Sequence, residues 1–472
     1  MARKIILFEL NEVPYRVIDY YCHANPKSTL ARLLPGCAQY ETYSEDVSSL
    51  SPWKTWPSVH RGVNDERHLI QNFGQDLKEV DAVYPPIWKI LTQHGLKTGI
   101  CGSLHSYPMP ESLENYTFYF PDTFAAGAEC FPPKLSIFQE FNLQMVQESA
   151  RNVSSKIPWR SALKVLADAP ALGFKLSTFS KIGKQLLAEH LQNWRKARRR
   201  TYQVVLTFDI FMKQLKSTRP DFTTFFTNHV ASSMHRFWAA CFPDDYETFE
   251  FEDEWVMTYR NELYFTMSVF DEFFKTLVHF VNRHPEYTLW VATSMGQAAT
   301  IAKPIETQLY IADMARFMKQ FGLEAAEWER RPSMLPRYNF FVTESKTTKF
   351  REKVKKLEIN GRPVEVYEAE NNFFCIRLGH EDLYEKPQYV KLSGQGISFE
   401  DMGLINEEIE DKSNTTAYHI PQGSLFIYNP KDQRPQDTGR SQISTLDIAP
   451  TILSNFSVPI SEYMKRPVSL GA

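Results

Sequence analysis

The feature that most constrains this sequence is a rhythm of short apolar runs, each ending in polar residues and separated by stretches with helical spacing. Ile5–Leu10, Lys97–Gly102, Asp221–Thr227, Tyr287–Thr293 and Gly423–Tyr428 are the clearest runs. Strands alternating with helices predict an α/β fold, a mostly parallel sheet with helices on both faces. In such a sheet ligands bind beyond the carboxyl ends of the strands, so the polar residues after each run are the first to inspect. At 472 residues and 43% hydrophobic, the chain has material for a large core in one or two domains.

Two regions interrupt the rhythm. Residues 125–200 read as helical and are expected to form a cap insertion over the site. Residues 333–414 read as a smaller, partly β insertion, because Arg362–Gly379 alternates in places like a hairpin. The core is then 1–124, 201–332 and 415–472. The formal net charge of -3 gives no reason to expect nucleic-acid binding. The strongest basic run, Arg195 to Arg200, reads either as a solvated helix face or as a peripheral contact for an anionic membrane or an acidic partner. Cys22, Cys37, Cys101, Cys130, Cys241 and Cys375 show no C-x-x-C spacing and read as reduced thiols. The first apolar run breaks at Glu9, too early for a signal peptide, and no run is long enough to span a bilayer. A cytoplasmic location is expected.

Two motifs at opposite ends of the chain carry a family likeness. Thr55-Trp56-Pro57-Ser58-Val59-His60-Arg61-Gly62 resembles the nucleophile segment of type I phosphodiesterases. Ser444-Thr445-Leu446-Asp447-Ile448-Ala449-Pro450-Thr451-Ile452-Leu453, followed by Val458-Pro459, resembles the closing helix of the same group. The chain thus resembles the alkaline phosphatase superfamily, in its phosphodiesterase and nucleotide pyrophosphatase branch. The resemblance implies a three-layer core and a Thr nucleophile heading a helix, where the dipole and free N–H groups favour phosphate. It also implies two divalent metals held by three Asp, three His and the nucleophile.

The metal ligands can be followed position by position. The first strand should end in Asp-Gly, and Asn11-Glu12 stands there. The third segment should read D-x-x-x-H; here Ala231 takes the Asp position and His235 the His position. The fourth should read Ser-Asp-His-Gly, and Thr293-Ser294-Met295-Gly296 replaces it. His419 matches the last His, ahead of its strand. Thr55, His235 and His419 therefore match the family, whereas Asn11, Ala231, Ser294 and Met295 depart from it. Neutral ligands would not offset the four charges of a dinuclear site, so the ordinary two-metal mechanism is not expected.

The resulting expectation is a divergent hydrolase or group transferase working through Thr55 with His235 and His419. Asn11 and Ser294 would steady a developing anion. Glu9, Glu12, His229, Gln297 and His105 are the other polar residues near strand ends, and are read as contacts for a small anionic substrate bearing phosphate or sulfate. A sugar-phosphate, nucleotide-linked or lipid-linked glycan would suit an intracellular protein with a large cap. No cofactor is expected beyond, at most, a single divalent cation, for which His235, His419 and His229 are the available imidazoles. Two alternatives stay open. One is an inactive scaffold or binding protein. The other is a metallo-phosphodiesterase with a shifted ligand set drawn from Glu9 or Glu12, His229, His235 and His419.

Overall fold

The computed structural model describes residues 3–147, 157–369, 372–379, 381–383, 389–432 and 439–470. All five apolar runs become strands of one eight-stranded sheet. In chain order its strands are β1 (Lys4–Leu10), β2 (Ala38–Tyr43), β3 (Thr98–Cys101), β4 (Tyr116–Phe120), β5 (Phe222–Thr227) and β6 (Tyr287–Ala292). A short strand outside this sheet, β7 (Gly296–Ala299), pairs with β8 (Ala417–Ile420). β9 (Gln422–Tyr428) and β10 (Ser441–Ser444) complete the large sheet. Its order is β10-β2-β9-β6-β1-β5-β3-β4. Only β9 runs antiparallel to its neighbours, β6 and β2.

The layers follow from strand alternation. On β1, Ile6, Phe8 and Leu10 face one hydrophobic cluster, and Ile5 and Leu7 face another. Seven helices matter below: α1 (Pro52–Arg61), α2 (Trp159–Ala167), α3 (Leu176–Leu191), α4 (Arg199–Thr218), α5 (His229–Cys241), α6 (Glu262–Arg283) and α7 (Ile448–Asn455). The first cluster takes Phe208 and Phe211 from α4, Met234 and Trp238 from α5, and Phe270, Phe273 and Phe274 from α6. The second takes Trp53 and Trp56 from α1 and Ile448 and Ile452 from α7. The sheet thus sits between two helical layers. The region 125–200, of which 148–156 lie outside the described residues, adds Phe138, Val165 and Leu172 to the first cluster.

A third cluster runs from Leu309 to Leu404, starting ahead of the boundary at 333. Within it Glu365–Ala369 and Phe373–Arg377 pair antiparallel, the hairpin expected from their alternation. Among the described residues no helix is long and apolar enough to cross a membrane.

The basic run does not face outward as a docking strip. Arg198 makes a two-pronged pair with Glu262, Arg199 reaches Glu189 at 2.7 Å, and Lys196 lies 3.7 Å from Glu410. Arg200 donates to Ser232 at 3.0 Å, and Arg195 lies over the Trp194 ring. The run ties the start of α4 to its neighbours, with Lys196, Arg198 and Arg199 each facing a glutamate, and nothing in this arrangement supports the membrane contact expected through it.

Candidate functional site

The site forms where β1, β5 and β6 end. Asn11 and Glu12 follow β1, Asn228 follows β5, and Ser294 follows β6. Glu12 takes a left-handed conformation, φ 62°, unusual for a non-glycine residue. Its side chain is buried, and three nitrogens meet its carboxylate oxygen Oε2. His235 Nε2 lies at 2.9 Å, His419 Nε2 at 3.3 Å, and the Gln297 amide donates to it at 2.5 Å. The convergence has a local cause: β7 and β8 pair in a register that sets Gln297 directly opposite His419. His235 comes one and a half turns into α5, on the side that meets Ala417.

The proton positions can be argued. His235 Nδ1 lies 2.7 Å from the Ala417 carbonyl and His419 Nδ1 lies 2.7 Å from the Leu50 carbonyl. A carbonyl only accepts, so both Nδ1 atoms carry hydrogen. Each Nε2 of a neutral ring would then turn a lone pair toward a carboxylate. A positive species must lie between them, either protons on the rings or a cation. Burial alone would raise the Glu12 carboxyl. The charges and hydrogen bonds of His419 and His235 outweigh it and hold that carboxyl well below the usual carboxylate range. Tyr418 stacks on His419 at 4.1 Å, and the cluster is most open at His235, whose side chain is 26% exposed against 5% for His419.

Thr55 and Ser294 form a separate pair, with their hydroxyl oxygens 2.8 Å apart and both side chains fully buried. Thr55 does not head its helix. The Ser51-Pro52 step starts α1, since proline fits the first helical turn, and Thr55 lies one turn in with its N–H bonded to Ser51 at 3.0 Å. The expected free N–H groups at the hydroxyl are therefore not available. Asn11 is also engaged. Its amide hydrogens go to Glu12 and Asn228, both at 2.7 Å, and its oxygen accepts from the Trp56 indole at 2.8 Å. It therefore orients Glu12 and has no hydrogen left to steady an anion. Asn228 and Trp56 were not singled out from the sequence. The position of Asn228 directly after β5 is the signal that pointed to it.

Three of the expected contacts lie elsewhere. Glu9 shares the Asn11 face of β1 but pairs with His60 at 2.7 Å, inside the helical layer. His105 bonds the Trp53 carbonyl at 2.7 Å and stacks on Phe73, and burial pushes it down to about 3. His229 opens α5 with its ring between the Thr227 hydroxyl and the Thr266 carbonyl, and burial pushes it down to about 4. All three have the surroundings of structural residues.

The two metal positions implied by the resemblance fare differently. At the first, Asn11 is fully bonded, Thr55 and Ser294 bond each other, Met295 is buried, and none of these four residues carries a carboxylate; a dication does not fit. At the second, one ligand atom each from Glu12, His235 and His419 lie within 4.8 Å of one another. Two imidazoles and a carboxylate, with both rings fixed through Nδ1, suit one divalent ion.

No family model and no curated protein matches the sequence. Among solved structures the chain is similar to murine ectonucleotide pyrophosphatase/phosphodiesterase 5, at 9% identity over 97% of this chain and 96% of that one, with a TM-score of 0.41. It is similar to phosphonoacetate hydrolase from Sinorhizobium meliloti 1021 in complex with phosphonoformate, at 11% identity over 96% of each chain and a TM-score of 0.41. It is also similar to a variant of TAB5 alkaline phosphatase with Mg bound, at 9% identity over 98% and 100% and a TM-score of 0.40.

Proposed function

We propose that this chain is a divergent alkaline-phosphatase-superfamily hydrolase that acts on a small phosphate-bearing molecule with a single divalent cation in place of two. The observation that carries this reading is the convergence of Glu12, His235 and His419 on one point, with both imidazoles anchored through Nδ1. These three residues would hold the cation. A bound divalent cation supplies Lewis-acid polarisation of a phosphoryl oxygen. Gln297 and Asn11 fix the Glu12 carboxylate from its two sides. The hydroxyl available for attack is Thr55, whose oxygen lies 2.8 Å from Ser294 Oγ. Both hydroxyls are buried, so a substrate reaches them only after a local opening. Relative to the sequence expectation, Glu12 takes the carboxylate role lost at Ala231, and Glu9 and His229 leave the ligand set.

Elemental analysis of protein dialysed against dilute zinc or manganese, followed by turnover of p-nitrophenyl phosphate and bis(p-nitrophenyl) phosphate, tests the proposal. One equivalent of metal, lost in Glu12→Gln, is expected, with turnover lost in both Glu12→Gln and Thr55→Ala. Turnover by metal-free protein would overturn the cation part. A second reading, a binding protein without catalysis, is favoured by the buried, mutually bonded hydroxyls. Bound metal with no turnover of either ester would select it.

A further inference from the structure

Helices α2 and α3 carry large apolar side chains on the outside. On α2, Trp159 and Leu163 are 62% exposed and Leu166 is 49% exposed, at positions that share one helical face, while Ser161 and Val165 point inward. On α3, Leu176, Leu187 and Leu191 are 87%, 69% and 87% exposed and fall within an arc of about 60°. The residues α3 buries are Thr178, Gln185 and Glu189. A helix packed on a soluble core normally does the reverse.

The flanks of this face are basic. Between Ile157 and Leu191 the chain holds Arg160, Lys164, Lys175, Lys181 and Lys184 against Asp168 and Glu189. Glu189 turns inward to Arg199. Lys175 and Lys181 reach Asp209 and Glu272 on neighbouring helices. Arg160, Lys164 and Lys184 are exposed beside the apolar stripes.

We propose that this face seats on an anionic lipid surface, with Trp159 and the leucines in the interfacial layer and Arg160, Lys164 and Lys184 against the headgroups. The rim carries an excess of base, with Lys164 3.8 Å from the exposed Glu140 and Arg160 and Lys184 exposed beside the stripes, and this excess favours an anionic lipid surface over a protein groove. The docking strip is therefore this face rather than the Arg195–Arg200 run.

Co-sedimentation of the full chain with vesicles of phosphatidylcholine alone, or mixed with phosphatidylglycerol, tests the inference. The protein is expected to pellet with the anionic vesicles, to do so less in high salt, and to stay in solution with the neutral ones. Leu163→Gln/Leu176→Gln/Leu187→Gln and, separately, Arg160→Glu/Lys184→Glu should each weaken binding about tenfold or more. All five side chains are exposed, so melting temperatures should match the wild type, and the two independent variants guard against a folding defect in either. Absence of binding to anionic vesicles overturns the proposal, as does equal binding by both variants. Self-association through this face without vesicle binding would assign it to a second copy of the chain.

Discussion

His229 offers a prediction whose size follows from the structure. Its Nε2 donates to the Thr266 carbonyl at 3.2 Å, its Nδ1 accepts from the Thr227 hydroxyl, and its ring is buried against Phe273. Burial lowers it from the ordinary 6.5 to about 4, against a smaller opposing effect of the Thr266 bond. Above pH 6.5 the ring is neutral in both the folded and the unfolded chain. Between 6.5 and about 4 the unfolded chain takes up a proton that the folded one refuses, so stability falls as the pH falls. Fully expressed, the difference is about 3 kcal/mol, and at pH 4.5 most of it, about 2–3 kcal/mol, is present. His229→Gln removes this pH-dependent loss at the expense of about 1 kcal/mol of hydrogen bonding. Urea unfolding of both proteins from pH 7.5 to 4.5 should show the wild type ahead by about 1 kcal/mol at the top of the range. The variant should lead by about 1–2 kcal/mol at the bottom, with a crossing between. A gap constant to about 0.5 kcal/mol across the range would refute the reasoning. It would mean that the ring exchanges protons freely in the folded protein and is open to ligands after all.

Three further outcomes are expected. Arg198→Ala should cost about 3–5 kcal/mol in urea unfolding, because it strands the Glu262 carboxylate, whose side chain is 3% exposed; a loss below about 1 kcal/mol would show that water reaches this carboxylate. Gly296→Ala would place a Cβ 2.1 Å from the Gln422 carbonyl and 3.1 Å from Pro14, so it should cost about 1–3 kcal/mol and, by shifting β7, weaken cation binding, as read by calorimetric titration. Thr55→Ala should lower stability by about 1–2 kcal/mol by leaving Ser294 without its partner and should abolish ester turnover; Thr55→Ser should recover both, and turnover surviving in Thr55→Ala would remove the nucleophile role.

The sheet was readable because its strands are buried on both faces and so appear as continuous apolar runs, as in Ile5–Leu10 and Tyr287–Ala292. β2 and β10 escaped notice because AQYETY and SQIS sit toward the sheet edge and keep polar side chains. At the site, the sequence placed Thr55, Ser294, His235 and His419 at strand or helix ends. It could not tell which neighbouring carboxylate would meet the imidazoles. Strand alternation put Glu9 on the Asn11 face, and the turn after the strand left Glu12 within reach of the cleft, so neither was preferred. The choice was made by the left-handed turn at Glu12 and by the β7–β8 register, neither of which leaves a mark in residue type. His105 and His229 misled for the opposite reason. Both follow strands, yet both are closed off by aromatic rings contributed from distant segments, Phe73 and Phe273.

The sheet order has a consequence for how the chain is made. β2 has only two partners, β9 and β10, and these lie roughly 380 residues or more downstream. At ribosomal rates of about 5–20 residues per second, β2 waits on the order of tens of seconds with both edges bare. During that interval a nascent chain presents an open β edge next to a partly formed core, a template for pairing with another chain. Early release of the polypeptide, or a ribosome stalled before Gln422, should therefore yield aggregates more than soluble fragments. Full-length yield should rise when a holdase chaperone covers that edge during synthesis.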